Sequence, residues 1–136
     1  MPFCTAINCM DGRVQLPVIE YLKDQYNADY VDMITEAGPI TILSDKEKGQ
    51  QIDSIISRAE ISVNIHGSKL IAIVAHYDCA GDPLDKAKQL VQLEDSVKLI
   101  KQKFPETQIL GLWVDKHWIV NEIIPFEGNK FPRINP

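Results

Sequence analysis

Short, mostly apolar runs at residues 3–8, 30–35, 70–75 and 109–114 predict strands, and the run at 70–75 is apolar throughout, as expected of a strand covered on both faces of a sheet. Between them the spacing changes to the helical period. Residues 16–26 carry Val18, Ile19 and Leu22 on one stripe, with Pro17 in the first turn and Asn27 placed to close the helix in the left-handed conformation. Ser44-Asp45-Lys46-Glu47 reads as a capping box. It opens a helix whose Ile52, Ile55, Ile56, Ala59 and Val63 share one face, and which stops at Gly67. Asp82-Pro83 is expected to start a long helix with Leu84, Ala87, Leu90, Val91, Val97 and Ile100 turned inward. A fifth strand at 118–124 follows the fourth so closely that the two should pair antiparallel.

Strands alternating with helices predict an α/β fold: a doubly wound, mostly parallel sheet of about five strands, with helices on both faces. The economical order is 2-1-3-4 with an antiparallel edge strand. In that order the chain reverses direction between the first and third strands, and the crevice outside their carboxyl ends is where such sheets bind ligands. We divide the chain into one domain over residues 1–124 and a tail over 125–136, which is rich in Pro, Gly and Asn.

Composition narrows the function. The 136 residues are 45% hydrophobic and 24% charged, ordinary for a globular domain. A net charge of −5 argues against nucleic-acid binding, which needs a basic face. Lys98, Lys101 and Lys103 form the one dense basic stretch, and their spacing marks a solvated helix face. No apolar run is long enough to cross a bilayer, and no signal-peptide pattern precedes the first strand. Three cysteines do not make a disulfide framework, so reduced thiols in the cytoplasm are expected.

Two clusters carry the chemistry. Cys9-Met10-Asp11-Gly12-Arg13 follows the first strand and His76-Tyr77-Asp78-Cys79 follows the third. Cys9, His76 and Cys79 supply two sulfurs and an imidazole, a set suited to Zn2+, and three protein ligands leave a tetrahedral zinc one open position. Asp11 and Arg13 admit three readings. They form a plain surface ion pair; or Arg13 keeps Asp11 ionised to accept a hydrogen bond from zinc-bound hydroxide; or Asp11 itself closes the zinc site. Cys4 reads as a core thiol, His66 and His117 as non-ligands, and Trp113 and Trp118 as sheet packing.

Cys-x-Asp-x-Arg after a first strand and His-x-x-Cys after a third resemble the β-class carbonic anhydrases. Glu36-Ala37-Gly38 is similar to that family's Asn-Ala-Gly turn, and Gly111-Leu112-Trp113-Val114-Asp115 to a strand near its C-terminal end. The resemblance implies zinc on Cys9, His76 and Cys79, a catalytic dyad of Asp11 and Arg13, hydration of CO2 to bicarbonate, and a homodimer or higher homo-oligomer. The chain departs from the family at Thr35-Glu36, where many members carry Arg-Asn, and at Ala80-Gly81, where glycine usually follows the cysteine directly. A related zinc hydrolase acting on CS2, COS or another small electrophile, and a non-catalytic zinc-binding module, are the alternatives.

Overall fold

The computed structural model describes residues 2–124, and the tail expected at 125–136 lies outside them. Five strands form one sheet in the order β2-β1-β3-β4-β5: β1 Phe3–Cys9, β2 Tyr30–Glu36, β3 Leu70–His76, β4 Gln108–Val114 and β5 Val120–Ile124. The pairs β1–β2, β1–β3 and β3–β4 are parallel, and β4–β5 is antiparallel. The expected doubly wound architecture with an antiparallel edge strand is therefore the one observed.

The uniformly apolar β3 has a simple cause. Successive side chains of a strand point to opposite faces, and both faces here are covered. On one face a 3-10 turn at Gly12–Val14 leads into α1, Gln15–Tyr26, whose Val18 and Leu22 pack with Ala72 and Val74. Asn27 ends α1 with φ 56°, in the left-handed conformation. On the other face α2 (Pro39–Leu43), α3 (Gly49–Glu60), a π-helical turn at Ile61–Ile65 and α4 (Lys86–Lys103) cover Ile7, Ile71, Ile73 and Trp113.

Three local expectations fail, each for a physical reason. The capping box does not form. Gly38 at φ 71° turns the chain so that Pro39 can open the short α2, and the Ser44 hydroxyl is then taken up by the Ile40 carbonyl of that helix. Asp45 instead accepts from the Glu47 N–H, and α3 starts later, at Gly49. The long helix starts not at Asp82 but after Asp85, whose carboxylate accepts from the Lys88 N–H at 2.9 Å. That shift changes its inner face: Gln89, Leu93, Ser96, Val97 and Ile100 are buried, while Leu84 and Val91 are exposed. Finally, Trp118 lies in the turn before β5 rather than in the strand, at φ 61°.

Candidate metal centre

Pairing between β1 and β3 stops at Ile7↔Ile73. Beyond that register the two central strands no longer share hydrogen bonds, and a crevice opens at their carboxyl ends. Asn8, fully buried there, satisfies the freed backbone with its side chain: Nδ2 donates to the Val14 carbonyl and Oδ1 accepts from the Cys9 N–H. Cys9 and His76 are the last residues of their strands, not loop residues as the sequence pattern placed them, and both are buried. Cys79 joins them from the following loop. The donor atoms of Cys9, His76 and Cys79 all lie within 4.8 Å of one another.

Several features test whether this trio fits a zinc ion. The two Sγ atoms are 3.8 Å apart. Two sulfurs each about 2.3 Å from one tetrahedral zinc would lie about 3.8 Å apart. His76 Nδ1 sits 2.7 Å from the Tyr77 carbonyl, an acceptor, so Nδ1 carries the hydrogen and Nε2 keeps its lone pair. That Nε2 is buried with no hydrogen-bond partner. An orphaned buried imidazole nitrogen is costly, and coordination is what would satisfy it. A backbone carbonyl on the other ring nitrogen is the usual support of a metal-bound histidine. The donor set fits the ion.

The two sulfurs lie within hydrogen-bond reach of each other. Cys79 Sγ beside it lowers the Cys9 pKa to about 4, against the effect of burial, with help from His76 and the backbone N–H groups of Asp11 and Gly38. The Cys79 thiol is pushed up by the adjacent Cys9 thiolate and by burial, while the N–H groups of Gly81 and Asp82 pull the other way. A divalent cation held between the sulfurs would take the place of a proton there. For His76, burial works to depress the pKa, but Cys9 and the Tyr77 carbonyl together outweigh it and raise it.

Those four N–H groups come from the loops after β1, β2 and β3, and the last two loops are in backbone contact. A Cβ on Gly81 would lie 2.4 Å from the Ala37 carbonyl carbon and 2.7 Å from the Gly38 nitrogen. Gly81 therefore supplies the close approach that lets the loop after β2 and the loop after β3 meet around the sulfurs. Asp82, buried beside them, has its pKa raised by burial. With its amide nitrogen turned inward, the Gln92 side chain donates to both Asp82 oxygens. Glu36, opposite Cys9 in the register, is ion-paired with Arg58, so its charge is matched within the protein.

Asp11 and Arg13 stand at the mouth of the same crevice. Arg13 donates from Nε to Asp11 Oδ1 at 3.0 Å and from Nη2 to Oδ2 at 2.7 Å, a bidentate pair, and its backbone N–H also reaches Oδ1. These bonds lower the Asp11 pKa to about 2. Gln15 braces the loop, its Nε2 donating to the carbonyls of Cys9 at 2.7 Å and Asp11 at 2.9 Å. A cavity of about 200 Å3 opens beside the cluster, lined by Cys9, Met10, Asp11, Ala37, Ala80 and Gly81. It admits only a small molecule and presents it a carboxylate among largely apolar walls.

The remaining candidates lie elsewhere. His66 binds Asp32 at the opposite end of β2, His117 is an exposed turn residue, and Cys4 is a fully buried thiol. Trp113 packs in the core as expected, but Trp118 does not serve the sheet alone, for its ring lies against Arg13. The sequence reading missed Asn8, Gln15, Gly81 and Trp118. For Gly81 a signal existed, because a glycine displaced by one position from the cysteine marks a changed backbone contact.

The fold has solved relatives. Solved structures similar to the chain include a β-carbonic anhydrase of Trichomonas vaginalis, at 18% identity over 90% of this chain and 82% of that one, with a TM-score of 0.61. A tetrameric β-carbonic anhydrase of Sordaria macrospora is similar at 15% identity over 90% and 80%, with a TM-score of 0.62. One from Aspergillus fumigatus is similar at 16% identity over 90% and 75%, with a TM-score of 0.57. No curated protein sequence matches significantly. The family model described as "Putative carbonic anhydrase" matches residues 1–124, nearly the whole of the chain, and the chain belongs to that carbonic anhydrase family.

Proposed function

We propose that the protein is a zinc enzyme that reversibly hydrates CO2 to bicarbonate, with Cys9, His76 and Cys79 as the metal ligands and Asp11 and Arg13 as the catalytic dyad. The observation that carries this reading is the convergence of a three-donor cluster and an ionised carboxylate on one cavity of about 200 Å3. Zinc held there would lower the pKa of a water at its open position to about 7 and so supply a nucleophile at neutral pH. The protein's own groups do the rest. The Tyr77 carbonyl fixes the His76 tautomer, so Nε2 faces the sulfurs as a lone-pair donor. Asp11, ionised and accepting only, takes a hydrogen bond from the reacting water and orients the water's free lone pair toward the carbon of CO2. Arg13 holds both Asp11 oxygens, so the carboxylate neither rotates nor takes up the proton. Met10, Ala37 and Ala80 give an uncharged linear substrate an apolar wall. A non-catalytic zinc module would have no use for this dyad.

Two measurements test the proposal. Protein purified without added metal should carry one zinc per chain, and zinc retained unchanged in a Cys79→Ser, His76→Ala double variant would sink the ligand assignment. Stopped-flow assays should show CO2 hydration by the zinc-loaded protein, whereas turnover of CS2 alone would move the assignment to the hydrolase reading.

The same reading implies self-association, as in the tetrameric Sordaria macrospora protein. The edge strand β2 has β1 on one side and, among the described residues, no strand on the other, and an open edge invites pairing with a second copy. Light scattering should show a dimer or larger species, and a monomer alone at micromolar concentration would refute this. No helix among the described residues is long and apolar enough to cross a membrane, and the unpaired thiols suit a reducing, cytoplasmic setting.

A further inference from the structure

Trp118 stands in a conformation that needs a reason. It is a bulky side chain at φ 61°, a region that favours glycine and asparagine and strains other residues. The turn that holds it there is built for the purpose. The Trp118 N–H donates to the Asp115 carbonyl, and Asp115 Oδ1 accepts from the N–H groups of His117 and Ile119. The result sets the indole against Arg13. The Arg13 guanidinium carbon lies 4.5 Å from the centre of the indole ring, within the range of a cation–π contact. Tyr77, between His76 and Cys79 in sequence, meets Trp118 edge-on, with its ring centre 6.4 Å from that of the indole.

The guanidinium is thereby held both in its plane and on one face. In its plane it is held by Asp11, by the Asp78 carboxylate at 3.3 Å and by the Asp78 carbonyl at 3.1 Å. Over its face lies Trp118. The arginine side chain is half-exposed, and an exposed ion pair of this kind is ordinarily loose.

We propose that Trp118 is a positioning residue: it clamps Arg13 against the indole face and, through Arg13, fixes the direction of the Asp11 carboxylate. The hairpin between β4 and β5 then forms part of the active site, although it contributes nothing to the metal cluster. The clamp rests on the reading of Asp11 and Arg13 as the catalytic dyad, but its geometry can be tested apart from catalysis.

Nuclear magnetic resonance of the full chain, with and without added Zn2+, provides that test. In the wild type the Arg13 side-chain protons should be shifted upfield by the indole ring and show cross-relaxation to it. Trp118→Leu keeps an apolar filler without a ring, and Trp118→Phe keeps a ring. Leucine should abolish the upfield shift and broaden the Arg13 Nε–H signal, while phenylalanine should keep most of both. In the CO2 assay leucine should lower kcat by about tenfold to a hundredfold, the scale of a misplaced catalytic group. KM and zinc content should be unchanged, and phenylalanine should restore most of the loss. A wild-type Arg13 signal without ring shift or cross-relaxation overturns the clamp, as do leucine and phenylalanine variants that behave alike. If the wild type hydrates no CO2, the functional proposal fails and the Arg13 resonances alone decide the clamp.

Discussion

Alanine in place of Gly81 should cost the chain most of its affinity for zinc, although Gly81 supplies no ligand atom. The added Cβ would meet the Ala37 carbonyl carbon at 2.4 Å, its oxygen at 2.6 Å and the Gly38 nitrogen at 2.7 Å. These are backbone atoms with no rotamer to change, so the two loops must separate. Separation withdraws the N–H groups that face Cys9 and Cys79 and moves Cys79 away from the ends of β1 and β3. Loss of supporting groups around a metal site typically lowers affinity about 10- to 100-fold, and overpacking costs about 1–3 kcal/mol of stability as well. Titration of the variant with zinc against a competing chelator, with circular dichroism to confirm folding, checks the expectation. Gly12→Ala is the control, because a Cβ there meets nothing within 4 Å. Equal zinc affinity in Gly81→Ala and Gly12→Ala would show that the loop contact does not support the site.

The comparison of Gly81 with Cys9, His76 and Cys79 shows which parts of the site are legible in the chain. The three donors are chemically distinctive, and each follows a recognisable apolar run. The sheet-order rule then places the ends of the first and third strands side by side without any coordinates. Gly81 matters for what a missing Cβ allows against a loop distant in sequence; its one-position displacement from the cysteine can be read in the chain, but the loop it meets cannot. Gln15 and Asn8 act through amides aimed at carbonyls whose positions exist only once the turn after β1 has formed. Trp118 misleads for a different reason. Its apolar character and its place before an apolar run fit a strand, and only the backbone angle reveals a turn.

The errors in the helices share a cause. Ser44 has the right residues around it for a cap, but it closes α2 in a helical conformation, where its hydroxyl donates back to the Ile40 carbonyl. Asp82 and Asp85 both fit a helix start, and tertiary burial decides between them. Gln92 and Thr41 receive the Asp82 carboxylate inside the protein, which leaves Asp85 to cap α4. Local propensity set the existence of each element, and side-chain competition for partners set where it began.

Replacing Asp11 by asparagine should separate metal binding from catalysis. The Asp11 side chain contributes no atom to the donor cluster, and the N–H that faces Cys9 belongs to its backbone, so zinc content should stay at the wild-type level. Its two oxygens, however, accept the bonds that Arg13 directs at it: the backbone N–H and Nε at Oδ1, and Nη2 and, at 3.3 Å, Nε at Oδ2. An amide cannot keep that pattern. With NH2 at the Oδ1 position a donor faces the Arg13 Nε and backbone N–H; with NH2 at the Oδ2 position a donor faces Nη2, and either way the pair loosens and the water can meet a donor where it needs an acceptor. Either orientation misdirects the nucleophile, and turnover of CO2 should fall by about 10²-fold or more, the scale of a positioned acid–base group. Arg13→Lys keeps the charge but loses the two-pronged grip, so it should fall between the wild type and Asp11→Asn. Stopped-flow rates paired with metal analysis on the same samples make the test. Undiminished turnover in Asp11→Asn would reduce the pair to an exposed ion pair of about 0–1 kcal/mol and withdraw the catalytic role from both residues.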